Sequence, residues 1–146
     1  AGYETYAFGS RQVRQGLSND LGFTREDRRE NTRRASELAG IMAESGLIVI
    51  TSFISPYAID RASARTAGGS NFHEIYLKAT LAECEAQDTR GRYAAARRDG
   101  LNNFTGISAP YEIPENPDLI LYTGNTTISE CIEMLVGYTA QNFQIY

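Results

Sequence analysis

The densest group of ionisable side chains lies in the stretch GFTREDRRENTRR, residues 22–34, here called the arginine cluster. Thr24 and Asp27 have the spacing of a capping box, so a helix is predicted to begin at Thr24. Cations in the first turns of a helix oppose its dipole, whereas anions bind there readily. The cluster could therefore hold an anionic ligand, or it could pair with neighbouring acids on a solvated surface, and spacing alone favours neither. The arginines in those turns are Arg25, Arg28 and Arg29.

Two phenylalanines lie close to positive charge in the sequence. Phe23 falls within the arginine cluster, and Phe104 lies in a proline-rich loop after the arginine-rich run at residues 90–98. An aromatic ring can stack on a base, and each such stack is worth about 1–3 kcal/mol. For either ring taken singly, a place in the hydrophobic core is the favoured alternative.

Other reactive residue types are sparse. The one histidine, His73, falls in a predicted strand, where a structural role is favoured over a catalytic one. Cys84 and Cys131 lack partners at metal-ligand or redox-motif spacing, and both are expected to be buried thiols in a reducing cytoplasm. We therefore expect no metal site and no Ser/His/Asp arrangement.

Length and composition narrow the class of protein. The chain predicts one domain over residues 1–146. Its net charge of −4 argues against nonspecific binding of nucleic acid, which depends on phosphate neutralisation. Without a signal-peptide pattern or an apolar run of about 20 residues, we expect a cytoplasmic protein that does not enter membranes. Lys78 is the one lysine among 14 basic residues, and arginine is the residue that grips sulfate or phosphate with two parallel hydrogen bonds.

Apolar runs and turn residues predict strands that alternate with helices, after a loop from Gly9 to Phe23. This alternation indicates an α/β domain with a mostly parallel sheet and helices on both faces. The predicted strands are Tyr3–Phe8, Leu47–Phe53, Phe72–Leu77 and Leu119–Tyr122. The predicted helices run from Thr24 to Gly46, over Ile59–Thr66, from Thr80, over Gly91–Arg98 and from Thr127.

The apolar pattern also predicts which faces are buried. The strand at Leu47–Phe53 is apolar along nearly its whole length, so we expect both of its faces to be covered. In the first and last helices an apolar stripe is expected to face the core. The stripes consist of Leu38, Ile41 and Met42, and of Ile128, Ile132, Leu135 and Val136.

The predicted sheet indicates where a ligand would bind, because ligands of such sheets lie beyond the carboxyl ends of the strands. We expect the site there, roofed by the region from Arg90 to Pro117. The segments that follow the strands are Gly9–Leu17, Ile54–Tyr57, Lys78–Thr80 and Tyr122–Thr126.

Four motifs together resemble the adenylylsulfate kinase family of sulfate assimilation. They are LSNDLGFTREDRRENTRR, GLIVITSFISPY, RGRYAAARR and FTGISAPYEIPENPDL, and the likeness runs in order through nearly all 146 residues. The resemblance implies a three-layer α/β domain of the P-loop kinase type. It also implies transfer of the γ-phosphoryl group of ATP, with Mg2+, to the 3′-hydroxyl of adenosine 5′-phosphosulfate (APS). The product of that reaction is 3′-phosphoadenosine 5′-phosphosulfate (PAPS).

The resemblance further implies roles for individual residues. Phe23 and Phe104 would sandwich the substrate adenine, with Phe104 on a lid and largely exposed before the ligand binds. Ile54 and Ser55 would line the pocket. The phosphosulfate and ribose would be held by Arg14, Arg28 and Asn31. The lid would also carry Arg90, Arg97 and Asn102.

The sequence departs from the family mainly at positions that serve ATP and catalysis. Phosphoryl transfer in this fold needs the motif GxxxxGK[ST], which these 146 residues do not contain, so we expect a domain lacking the family's first strand and P-loop. Arg90 and Asn102 replace two lysines of the family, and Gln87 replaces an arginine near the ATP adenine. The family's acidic DGDN sequence aligns with Gly9, Ser10, Arg11 and Gln12.

Two functions follow from this pattern. The chain is expected to be an APS-binding part of a kinase, or a degenerate kinase-like domain that binds APS or PAPS and controls an ATP sulfurylase. LGFTREDR and YAAARR are also similar to the kinase-like domains of fungal ATP sulfurylases. A nucleotide-fold protein without a ligand is the least favoured interpretation. We expect the chain to form a homo-oligomer or to be attached to an ATP sulfurylase.

Overall fold

The computed structural model describes residues 2–143, which form two compact units. The first unit comprises the described residues of Ala1–Phe72 together with Tyr111–Ile113. The second comprises His73–Pro110 and the described residues from Pro114 onward. Within residues 2–143, none of the helices has both the length and the apolar composition that crossing a bilayer requires.

The first unit is built on two parallel strands, β1 (Thr5–Gly9) and β2 (Ile48–Ser52). Parallel neighbours need a long crossover, which α1 (Ser10–Gln15) and α2 (Arg25–Glu44) supply. After β2 the chain continues into α3 (Ala58–Gly68). The carboxyl ends of both strands therefore lie at one edge of the sheet, where β1 leads into α1 and β2 leads into the loop before α3.

The core of the first unit lies between the strands and α2. Phe8, Val13 and Ala35 are buried there. Phe53 packs its ring edge-to-face on Phe8, with 6.3 Å between the ring centroids. This packing fixes α1 and α2 beside the carboxyl end of β1 and so positions the arginine cluster.

The second unit repeats the parallel arrangement. Its strands, β3 (Ile75–Lys78) and β4 (Leu119–Tyr122), are joined by a crossover that contains α4 (Leu81–Ala86) and α5 (Arg92–Arg98). α6 (Ile128–Asn142) follows β4. The buried hydrophobic residues of this unit are Tyr76, Ala96 and Leu121.

The predicted threonine caps are confirmed. Each threonine accepts a hydrogen bond from the backbone N–H three residues later, at 3.1–3.3 Å. The acidic side chain at that later position accepts a bond from the threonine N–H in return, which completes a capping box. The capping residues are Thr24, Thr80 and Thr127.

The prediction of a loop from Gly9 to Phe23 is wrong in its first part, because α1 begins directly after β1. Gly9 is the N-cap of α1, with extended backbone. The Oε1 atom of Gln12 accepts a hydrogen bond from the Gly9 N–H at 2.8 Å. A glycine cap carries no side-chain signal, which is why the sequence pattern missed this helix.

The third strand also differs from its prediction, since β3 begins at Ile75 and not at Phe72. His73 therefore precedes the strand. Its Nδ1 atom lies 2.5 Å from the hydroxyl of Tyr138, and the two rings meet edge-to-face. The imidazole thus takes part in packing between the start of β3 and α6.

Several apolar residues expected in the core are exposed. On α2, Leu38 and Met42 pack on the core, but Ile41 is 66% exposed because it lies about 100° around the helix from Met42. On α6, Ile128 is 80% exposed and only Leu135 of the predicted stripe is half-buried. The described residues leave this face of α6 open. The other exposed members of that stripe are Ile132 and Val136.

Two further burial predictions are wrong. Ile50 in β2 is 46% exposed, because within the described residues β2 pairs with β1 alone. Cys84 and Cys131 are half-buried and not buried as predicted.

Candidate functional site

An exposed aromatic ring with two guanidinium groups beside it marks the candidate site in the first unit. Phe23 lies just before α2 and is 64% exposed. The guanidinium carbon of Arg14 lies 4.5 Å from the ring centroid, and that of Arg28 lies 5.8 Å from it. The ring is not part of the hydrophobic core, so the area that Arg14 does not cover is available for stacking.

Backbone carbonyl groups hold both arginines in place. Arg14 Nη1 donates to the carbonyl oxygens of Leu21 and Gly22, at 3.2 and 2.7 Å. Arg28 Nε donates to the Phe23 carbonyl at 3.1 Å. Burial and the positive charge of Arg28 lower the pKa of Arg14. Two like charges are thus held beside one ring, and an anion placed between them would relieve their repulsion.

The arginines at the end of the cluster are occupied differently. Arg33 and Arg34 both donate to the Glu30 carboxylate, which lowers the pKa of Glu30 to about 2. Arg34 also forms a bidentate pair with Asp20, at 2.6 and 2.9 Å. Both guanidinium groups are therefore paired with acids of the chain, and Arg34 also ties the preceding loop to α2.

The remaining arginines of the first helical turns face other partners. The guanidinium carbon of Arg25 lies 4.8 Å from the centroid of the Tyr57 ring. Arg29 Nε lies 3.9 Å from a carboxylate oxygen of the buried Asp60. Of the three arginines that the sequence singled out, the structure therefore brings only Arg28 to the Phe23 ring.

Asn31 lies on α2, three residues after Arg28, and its side-chain amide is buried. The residue is only 3% exposed, and its Nδ2 atom donates to Ser10 Oγ at 3.3 Å. Its Oδ1 atom is buried and has no hydrogen-bond partner among the described residues. A buried acceptor without a donor costs about 1–3 kcal/mol, so this oxygen is suited to a ligand hydroxyl.

The loop after β2 carries the two predicted pocket-lining residues. Ile54 is exposed. Ser55 has a left-handed backbone, with φ of 42°. Such a conformation is uncommon for a residue that is not glycine. This loop also forms hydrogen bonds with Arg61 and Glu112. No motif or spacing in the sequence pointed to these two residues.

The second unit contains the predicted lid residue Phe104 within a loop that closes on itself. Ser108 Oγ accepts from the Phe104 N–H at 3.0 Å and donates to the Leu101 carbonyl at 2.6 Å. The Phe104 ring packs edge-to-face on Tyr93, with 5.2 Å between the centroids, and is half-buried. The expectation that Phe104 is largely exposed is therefore wrong, because Tyr93 shields one edge of its ring.

The other predicted lid residues differ in their surroundings. Arg97 pairs with Glu85 through Nε at 3.0 Å and through Nη2 at 2.5 Å. The backbone N–H of Arg90 donates to Asp88 at 3.2 Å. Asn102 is exposed. Roles for these three residues in ligand binding remain predictions.

We expect Phe104→Ala to weaken APS binding by about 1–3 kcal/mol through loss of a stacked ring. The cost in folding stability should stay well below the ~3–5 kcal/mol of a core phenylalanine, because the ring is half-buried. Thermal melts with and without APS measure both effects. Phe104→Tyr is the control, since another aromatic face should restore stacking. A large fall in the ligand-free melting temperature with intact ligand stabilisation would contradict the stacking role.

Comparison with known proteins supports the resemblance seen in the motifs. A sequence profile of the family described as Adenylylsulphate kinase matches residues 1–122. The adenylyl-sulfate kinase of Prochlorococcus marinus is 48% identical over 137 residues, covering 93% of this chain and 68% of that protein. That of Clostridium acetobutylicum is 43% identical over 141 residues, covering 97% of this chain and 70% of that protein.

A solved structure agrees in fold as well as sequence. The Mycobacterium tuberculosis APS kinase CysC in complex with AMPPNP and APS is 38% identical, with a TM-score of 0.87. The match covers 95% of this chain and 82% of that chain. The predicted α/β fold with parallel strands is therefore confirmed. On the profile match, the relatives and the fold together, the chain belongs to the adenylylsulphate kinase family of sulfate assimilation.

Proposed function

We propose that this chain binds APS, and that Phe23, Arg14, Arg28 and Asn31 form the part of the site that the first unit supplies. The observation that carries the proposal is the exposed Phe23 ring with the guanidinium groups of Arg14 and Arg28 beside it. A nucleotide that ends in an anionic phosphosulfate needs both a flat apolar face and positive charge.

Each moiety of APS has a matching group in this unit. The adenine would stack on Phe23, as bases do on aromatic platforms. The phosphosulfate would accept hydrogen bonds from the guanidinium groups of Arg14 and Arg28, whose planar forks suit tetrahedral oxyanions. The unpartnered Asn31 Oδ1 would accept from a ribose hydroxyl. Ile54 and Ser55 would border the pocket.

The residues present do not fit the β- and γ-phosphates of ATP. A phosphate cradle in this fold uses a glycine-rich loop with a lysine, and the sequence contains no GxxxxGK[ST]. The segment after β1 offers glycine, serine, arginine and glutamine, and Gln12 uses its side-chain oxygen to cap α1. We therefore propose that these 146 residues bind the sulfonucleotide but do not by themselves hold ATP and Mg2+ for phosphoryl transfer.

A regulatory role is the second candidate, and the substitutions outside the P-loop favour it. Gln87 stands where the family has an arginine near the ATP adenine, and its Nε2 atom donates to the Thr123 carbonyl at 3.2 Å. We expect an active kinase to keep both this arginine and the acid that aligns with residues 9–12. Their replacement here therefore favours a regulatory role. In this role, APS or PAPS bound to the chain would control an ATP sulfurylase partner.

Calorimetric titration of the purified chain with APS tests the proposed binding. APS should bind about tenfold or more tightly than AMP, because the sulfate adds a charge-assisted contact worth about 1.5–3 kcal/mol. Phe23→Ala should weaken both ligands, since both carry the adenine. Absence of binding by APS, or equal affinity for APS and AMP, would refute the proposal.

A further inference from the structure

The first turn of α3 is capped by a residue from a distant part of the chain. Its N-cap, Tyr57, forms no side-chain capping bond. Instead Glu112 Oε2 accepts a hydrogen bond from the Ala58 N–H at 2.6 Å, across a separation of 54 residues. The Glu112 N–H donates to the Pro56 carbonyl at 2.8 Å. One residue thus clamps the loop between β2 and α3 through both its side chain and its backbone.

Arg61 holds the same loop from the α3 side. It is only 8% exposed, and its Nη1 atom donates to the Ser55 carbonyl at 2.9 Å. Its guanidinium carbon lies 6.0 Å from the centroid of the Tyr111 ring, in the segment that carries Glu112. The loop at residues 55–58 is therefore fixed at the backbone of Ser55, Pro56 and Ala58 by α3 and by the segment Tyr111–Ile113.

The conformation held in this way is a strained one. Ser55 adopts a φ of 42°, in the left-handed region that a residue with a Cβ atom enters at a cost. Such a backbone persists only where its surroundings impose it. Without the Glu112 contacts, we expect the loop to relax toward ordinary backbone angles and to move the Ser55 amide and side chain.

We propose that Glu112 is a positioning residue for the sulfonucleotide site, acting through the Ser55 loop. The proposal rests on the function proposed above, in which Ile54 and Ser55 border the APS pocket. Glu112 itself need not touch the ligand. Its carboxylate and backbone N–H keep the strained loop in the conformation that the ligand meets, so binding does not have to supply the cost of that conformation.

The test compares Glu112→Ala, Glu112→Asp and Glu112→Gln with the wild-type chain by calorimetry with APS. Glu112→Ala removes the carboxylate but keeps the backbone bond to Pro56, so it should weaken binding by more than about threefold and at most ~10-fold, the full cost of a left-handed backbone on a residue other than glycine. Glu112→Asp should also weaken binding, because its shorter side chain withdraws the acceptor from the Ala58 N–H. Glu112→Gln should stay within about threefold of wild type, since its amide oxygen can accept the same bond. Glu115→Ala is the matched control, because Glu115 is an exposed glutamate three residues further along the chain.

Affinity is measured well below every melting temperature, so that a loss of folded protein does not register as a loss of binding. If Glu112→Ala or Glu112→Asp lowers only the melting temperature and leaves the APS affinity unchanged, the positioning role is wrong although the proposed function stands. If Glu112→Ala does not fold, the APS affinities of Glu112→Asp and Glu112→Gln test the positioning role instead. If the wild-type chain does not bind APS, the proposed function and this role both fall.

Discussion

No PAPS is expected when the purified chain is incubated with ATP, Mg2+ and APS. Enzymes accelerate such transfers at least about 10⁶-fold, largely by positioning and charge neutralisation around the phosphates. The chain offers no glycine-rich loop with a lysine, and Gln12 in the first turn of α1 caps its own helix. Nothing in the described residues therefore gathers the γ-phosphoryl group and its metal ion. We expect product at the level of the no-protein control.

The measurement uses ATP labelled in its γ-phosphate, followed by separation of labelled PAPS. The adenylyl-sulfate kinase of Clostridium acetobutylicum, assayed in parallel, shows that the assay detects turnover. APS binding by the same sample shows that its sulfonucleotide site is intact. Labelled product well above the no-protein control would contradict both the proposed impairment and the regulatory alternative.

The second large effect is expected at the arginine cluster, where Arg28→Ala should weaken APS binding tenfold or more. A charge-assisted hydrogen bond contributes about 1.5–3 kcal/mol, and Arg28 lies beside the exposed Phe23 ring. Arg34→Ala should weaken binding less, because the Arg34 guanidinium is bound by Asp20 and Glu30. Calorimetry with APS on each variant measures the difference.

Arg33→Ala is the better-matched control, since Arg34 also donates to the Leu17 carbonyl and supports the loop before α2. Arg33 is an exposed arginine on the same helix and pairs with Glu30. Its removal takes away the same charge without touching that loop. If Arg28→Ala and Arg33→Ala have equal effects, the arginines act as a diffuse positive field and the specific contact is wrong.

Helices with side-chain caps and strands with continuous apolar runs could be predicted from the sequence. Thr24 and Thr127 set the starts of α2 and α6 because a capping box is a local interaction between residues three apart. α1 could not be predicted in this way, since Gly9 has no capping side chain. Burial was harder to predict, because the apolar stripe on α6 does not indicate which part of the protein, if any, packs against it.

The residues of the candidate site could likewise be predicted only in part from the sequence. Local pattern drew attention to Phe23 and to arginines at the start of α2, but it could not distinguish Arg28 from Arg25 and Arg29. The resemblance to the family supplied Arg14, which no spacing rule would select. Contacts between distant segments could not be predicted from local spacing. An example is the hydrogen bond from the Ala58 N–H to Glu112, which spans 54 residues.

The pair of guanidinium groups at Phe23 also bears on how an anion would reach the site. The whole chain carries a net charge of −4, so an anion far from the surface is repelled. Salt near 0.1 M screens that repulsion beyond about 10 Å. Close to the ring, the positive charges of Arg14 and Arg28 outweigh the net negative charge of the chain. Their guanidinium carbons lie 4.5 and 5.8 Å from the ring centroid. Capture of an anionic ligand is therefore expected to depend on short-range contact with these two guanidinium groups, and not on long-range steering by the net charge.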